Sequence, residues 1–224
     1  MTNKSTINLN LTLFTAAWVI IAVTSFYVCL SLPNDLQLPI HWNINLEPDS
    51  YANKWFALLM LPAVSVLIAL VMTVLPMFEP RKQNLMLSGR AYQGVFWAVQ
   101  LFFLTLQLFI LSDAWEWHWP LARFISLGIA MLLLVLGNYI GKTRSTFLFG
   151  IRTPWTLSSE QVWRKTHRLA GFGLVATGLF SLISTPWANP LTLGISLIIM
   201  AAVFMSATIY SYLLWRKETD HRLN

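Results

Sequence analysis

Six stretches of this 224-residue chain are apolar and free of charge deep inside, and each is long enough to cross a bilayer or nearly so. They run approximately over 11–32, 56–78, 94–112, 124–141, 171–187 and 191–215. A hydrocarbon core about 30 Å thick takes about 20 helical residues, and a helix satisfies its own backbone polar groups where no water can. The runs therefore predict an all-α, polytopic membrane protein with six transmembrane helices. Composition agrees: 11% of the residues are charged, against about 25% in a soluble domain. The first run exceeds the roughly 7–15 residues of a signal-peptide core and ends in no small-residue cleavage site, so it reads as an uncleaved span. Cys29, the single cysteine, allows no disulfide and no zinc-ribbon spacing.

Lysine and arginine set the orientation. With the N-terminus inside, 13 of the 15 fall on the cytoplasmic side, leaving only Lys54 and Arg123 outside. Both termini are expected in the cytoplasm. The net charge of +6 then reflects topology and contact with membrane lipids, with no direct nucleic-acid binding. Trp42, Trp55, Trp115, Trp117, Trp119 and Trp187 flank the outer surface, and Trp155, Trp163 and Trp215 the inner one, as an aromatic belt. The chain divides into a two-span region, 1–93, with an outer loop at 33–55, and a four-span region, 94–224, with a cytoplasmic loop at 142–170.

No Asp, Glu, Lys, Arg or His lies deep in any of these spans, which argues against a proton-coupled transporter or an intramembrane metalloprotease. Gln93, Gln100 and Gln107 recur every seven residues on one face of the third span. Interhelical hydrogen bonding explains them, and a polar solute path is the alternative. Gly137 and Gly141, and the series Gly173, Thr177 and Ser181, fit close helix contacts.

The outer loops carry His41, Glu47, Asp49, Asp113, Glu116 and His118. Their spacing supports solvated surface groups rather than a metal site. The inner loop holds six basic residues and the run Gly150-Ile151-Arg152-Thr153-Pro154-Trp155, which reads as a defined turn: Gly for backbone freedom, Pro for rigidity, Arg for a phosphate or carboxylate. Ser158 with Gln161 makes a candidate capping box, with Glu160 in the first turn of a helix starting near Ser159. That helix puts Trp163, His167 and Gly171 on one face, and its basic side suits anionic lipid heads or a cytosolic partner. His167 alone could titrate near neutrality. No nucleophilic triad accompanies it, so no catalytic residue, cofactor or metal is expected.

The segment GNYIGKTRSTFLFGIRTPWTLSSEQVWRKTHRLAG resembles the signature of the SdpI family of bacterial toxin-immunity membrane proteins. It matches at Gly137, Asn138, Gly150 through Leu157, Glu160, Trp163, Thr166, His167 and Gly171. Upstream, Leu38, Pro39, His41, Trp42, Asn43, Glu47, Pro48, Asp49, Tyr51 and Lys54 resemble a small domain of unknown function that often precedes that signature. The departures are Leu46, where glycine is usual, and Thr146, close to where asparagine often stands. The resemblance implies a multi-pass protein of the bacterial cytoplasmic membrane that gives immunity to a secreted antimicrobial peptide or protein. It also implies a possible second role, capture of a cytoplasmic autorepressor at the membrane. On this reading His41, Trp42, Asn43, Glu47 and Asp49 sense the toxin outside. Asn138, Gly150, Arg152, Thr153, Pro154, Trp155, Glu160, Trp163 and His167 form the inner partner-binding signature. The competing readings are a transporter or flippase for an amphipathic substrate and an enzyme acting on a lipid headgroup.

Overall fold

A computed structural model describes residues 4–117 and 119–223, with side chains between 17 and 220. Lys4 and Arg222, counted in the charge bias, and His118 lie outside the described side chains. Each apolar run is a helix: α1 Lys4–Ser31, α2 Lys54–Val74, then, after the short α3 Lys82–Leu87, α4 Gly89–Ala114 and α5 Leu121–Ile140. After α6, Pro154–Ser158, come α7 Glu160–Ser184 and α8 Pro190–Leu223. Among the described residues five helices are long and apolar enough to cross a membrane, and α1 contributes a shorter apolar stretch, Ala17–Ser31. Val23, Leu67, Leu101, Ile183, Ile198 and Met205 stand exposed around the bundle. An apolar girdle of this kind needs a cover, and with the spans it makes the chain a multi-pass membrane protein.

The segment between α1 and α2 corrects the all-α expectation. It is an antiparallel hairpin, β1 Gln37–Trp42 and β2 Pro48–Asn53, with irregular pairing around His41. Asn43 builds its turn. The Asn43 side-chain oxygen accepts the N–H groups of Asn45 (2.8 Å) and Glu47 (3.1 Å), and its amide donates to Glu47 Oε2 (3.1 Å). This is the side-chain mimicry of a backbone turn that asparagine favours. The hairpin sits on a core of Val28, Cys29, Leu38, Ala57, Leu58 and Phe109. Lys54, treated above as a lone outer charge, is 2% exposed and closes the hairpin's base. Its ammonium donates to the Leu32 carbonyl (2.5 Å) and Asn34 Oδ1 (3.1 Å).

Small and amide residues bring the helices together as expected. A Cβ at Gly137 would lie 2.7 Å from the Gly171 carbonyl and the Val175 nitrogen, so α5 and α7 cross backbone to backbone. Gln100 bonds Ser65 of α2. Gln107 donates to Ser25 Oγ and the Leu58 carbonyl, both at 3.0 Å, joining α1, α2 and α4. The glutamine face is thus occupied by packing bonds.

Leu46, at the glycine-favouring position, has φ 64°. A left-handed backbone costs an L-residue about 1–2 kcal/mol, while glycine loses about 0.5–1 kcal/mol more chain entropy on folding. Leu46→Gly is expected to raise the thermal midpoint slightly in detergent, by about half a kcal/mol of stability. A fall in midpoint would show that the leucine side chain outweighs the strain.

Candidate functional site

The described polar groups concentrate at the end of the bundle away from the hairpin, in residues 141–159 and the elements around them. The chain leaves α5 at Gly141 and buries Thr143, Ser145 and Thr146. A buried irregular segment must find partners for its backbone groups. Here they come from the distant connection between α2 and α4. Glu79 is 1% exposed. Its carboxylate accepts the N–H groups of Arg81 (2.9 Å), Phe147 (3.0 Å) and Leu148 (3.1 Å). Arg81 donates to Ser145 Oγ and to the Leu157 carbonyl (2.9 Å), with its guanidinium over the Phe147 ring. Asn84 donates to the Ser145 carbonyl (2.9 Å), and Ser88 Oγ accepts the Arg144 N–H (2.9 Å).

The second half of the loop is held from α7. Gly150 has φ 114° and packs against Trp163 and His167; a Cβ there would meet His167 Nε2 at 2.6 Å. Trp163 and His167 are fully buried and stack, with ring centroids 3.9 Å apart. Trp163 Nε1 donates to the Thr143 carbonyl (3.1 Å). It is a core residue, which corrects its place in the aromatic belt. His167 Nε2 accepts the Ile151 N–H (2.8 Å), and Nδ1 faces the Trp163 carbonyl at 2.8 Å. An N–H donor on one nitrogen and a carbonyl acceptor at the other fix the neutral Nδ1–H tautomer. A second proton would face the Ile151 N–H, so His167 is no titratable site near neutrality, contrary to expectation.

The expected turn is a capped short helix. Thr153 caps α6: its hydroxyl accepts the Thr156 N–H (3.2 Å) while Thr156 Oγ1 accepts the Thr153 N–H (2.9 Å), a capping box one element earlier than foreseen. Pro154 takes the first helical position, where its missing N–H costs nothing. The cap of α7 is Ser159, not Ser158, and its hydroxyl accepts the Val162 N–H. Residues 160–170, read as loop, are the first turns of α7. Arg152 is exposed and its guanidinium donates to the Phe147 carbonyl rather than to an anion. Trp155 donates to Ser211 of α8 and packs edge-on against Tyr212. Glu160 accepts the Ser145 N–H (3.2 Å) and lies 3.6 Å from Arg144, and Asn138 accepts from Lys142 (3.0 Å).

The other predicted group gathers on the hairpin. His41 Nδ1 meets Asp49 Oδ1 at 2.5 Å across the strands, Asn43 and Glu47 form the turn, and Trp42 packs edge-on against Phe109. Both groups of residues cluster, but separately, with the 21-residue α2 between their ends. That length is about 30 Å. Among the described residues no three metal-ligand side chains come together.

Chemically, the loop end is a closed polar block. Its hydroxyls and its imidazole are engaged internally, and its exposed face carries cations. The sequence reading missed Glu79, Arg81, Asn84, Ser88 and Ser145. The one available signal was Glu79 itself, an acid in a connection where the orientation bias places bases. Removing its carboxylate strips three N–H groups of their acceptor. Glu79→Ala is expected to cost about 3 kcal/mol, read as a lower thermal midpoint and faster tryptic cleavage at Arg144 and Arg152. Glu79→Gln, which keeps one acceptor, should fall between. An unchanged midpoint in both variants contradicts the clamp.

No solved structure matches the chain. Residues 142–214 match the SdpI/YfhL protein family, and residues 15–66 match a domain of unknown function, DUF1648. The immunity protein SdpI of Bacillus subtilis (strain 168) is 25% identical over 206 residues, covering 91% of this chain and 97% of that protein. The two matched regions contain the polar loop and the hairpin respectively, and on them the chain belongs to the SdpI/YfhL family, with a DUF1648 domain ahead of the family region.

Proposed function

We propose that this chain is an immunity protein that protects the cell membrane from a secreted antimicrobial peptide or protein, acting by binding rather than catalysis. The observation that carries this reading is the near end-to-end similarity to the immunity protein SdpI, which takes in both hairpin and loop. The geometry is consistent with it. The imidazole has both nitrogens engaged, which leaves no free base for an enzyme at the loop, and Gln100 and Gln107 are engaged between helices, which disfavours a transport path.

In this account α1 is a sixth span and both termini are cytoplasmic. Arg81, Lys82, Arg90, the six cations of 142–168, Arg216 and Lys217 share the loop end, while Lys54 and Arg123 lie at the hairpin end, as the positive-inside rule expects. The hairpin then meets toxin outside. The loop faces the cytoplasm, where Arg152, Pro154 and the edge of Trp155 offer a surface to a partner such as a repressor.

Two measurements on the same cells test this. Cells expressing the wild type should survive a secreted toxin encoded beside it or in related strains, and hairpin variants His41→Ala and Trp42→Ala should lose protection while keeping membrane levels. In a Cys29→Ala background, an impermeant maleimide should label Asn45→Cys in intact cells and Arg216→Cys only after permeabilisation. Absence of protection against every such toxin rejects the immunity reading, and reversed labelling rejects the orientation.

A further inference from the structure

Between the end of α5 and the start of α7 lies an open groove of about 960 Å³. Its mouth is lined by Asn138, Lys142, Arg164, Lys165 and Arg168, and its deeper part by Phe172 and Val175, beside the crossing of Gly137 and Gly171. We propose that this groove binds one anionic phospholipid, its phosphate held by Lys142, Arg164 and Arg168 and an acyl chain laid along Phe172 and Val175.

Three observations carry the assignment. First, the cations are exposed, and among the described residues none of them makes an ion pair. The one carboxylate in the lining, Glu160, is directed to the Ser145 N–H and Arg144. Second, Arg164, Arg168 and Phe172 follow at four-residue steps on α7, so the line runs from charge into the apolar span, and the Arg168 guanidinium already lies over the Phe172 ring. Lys142 faces this line from the end of α5, steadied by Asn138. Third, the groove continues to residues of the apolar helix, where a lipid chain reaches and a water-soluble protein does not. Orientation bias alone requires cations near the membrane surface; it does not require them to converge on a concavity open to the hydrocarbon. Paired arginines suit a phosphate because their planar forks donate two bonds each.

This site does not depend on the immunity role. The test uses the full chain purified in neutral detergent. Thermal midpoints and native mass spectra are compared with phosphatidylglycerol, phosphatidylcholine or inorganic phosphate added at equal concentration. Phosphatidylglycerol should raise the midpoint and leave one lipid bound, while the other two do neither. Arg164→Gln/Arg168→Gln should weaken the apparent affinity roughly 100-fold, about tenfold for each guanidinium removed from the phosphate. Arg216→Gln/Lys217→Gln, an equal change of charge outside the groove, should leave it near the wild-type value. Equal weakening in both double variants would mean diffuse surface attraction and overturn the site. So would a midpoint rise with phosphate alone, which would mark a free-anion site, or an equal response to the two lipids.

Discussion

The Glu79 carboxylate is the group around which the loop end is organised. It is buried, it follows the second helix, and it accepts N–H groups from Phe147 and Leu148, nearly seventy residues farther along the chain. A buried carboxylate without such donors would be strongly destabilising, and buried loop N–H groups without such an acceptor would be too. Each therefore requires the other. The pairing fixes where the segment after α5 must lie, and Arg81, Asn84 and Ser88 then complete the bonding from the same side. With that face held, Gly150 can press its backbone onto Trp163 and His167, and the Ile151 N–H reaches the imidazole.

The hairpin end follows the same logic with a cation. Lys54 is buried and its ammonium joins the carbonyl end of α1 to the start of α2. Each half of the matched sequence thus contains one buried charge that closes an irregular segment against helix ends. Between them run helices joined by glutamine, serine and glycine contacts, which give a frame from hairpin to loop. A protein that binds on one face and docks on the other needs such a frame more than it needs reactive groups.

What was legible in the sequence was whatever lipid dictates locally. The apolar runs became helices because hydrocarbon leaves the backbone no other way to satisfy itself. Gly137 and Gly171 sit where two backbones nearly touch, and glycine's missing side chain is a local signal. Contacts set by distant chain were not legible. Glu79 has no local motif, and nothing near it in sequence names Phe147. Ser158 and Ser159 are equivalent caps on paper; Thr153 decides between them by starting a short helix that ends at Ser158. The hairpin was hidden by its prolines, by weak alternation and by Leu46, a non-glycine residue in a left-handed turn. For His167 the sequence shows an imidazole but not that both of its nitrogens are taken.

If Glu79 organises the loop end, residues 145–153 form a bonded block and not a flexible basic anchor. Amide hydrogen exchange on the purified full chain separates the two. The Phe147, Leu148 and Ile151 amides should exchange as slowly as those of the first turns of α7, because their acceptors are buried side chains. Exchange of these three amides at the rate of an unstructured peptide, with α7 still protected, would rule the bonded block out.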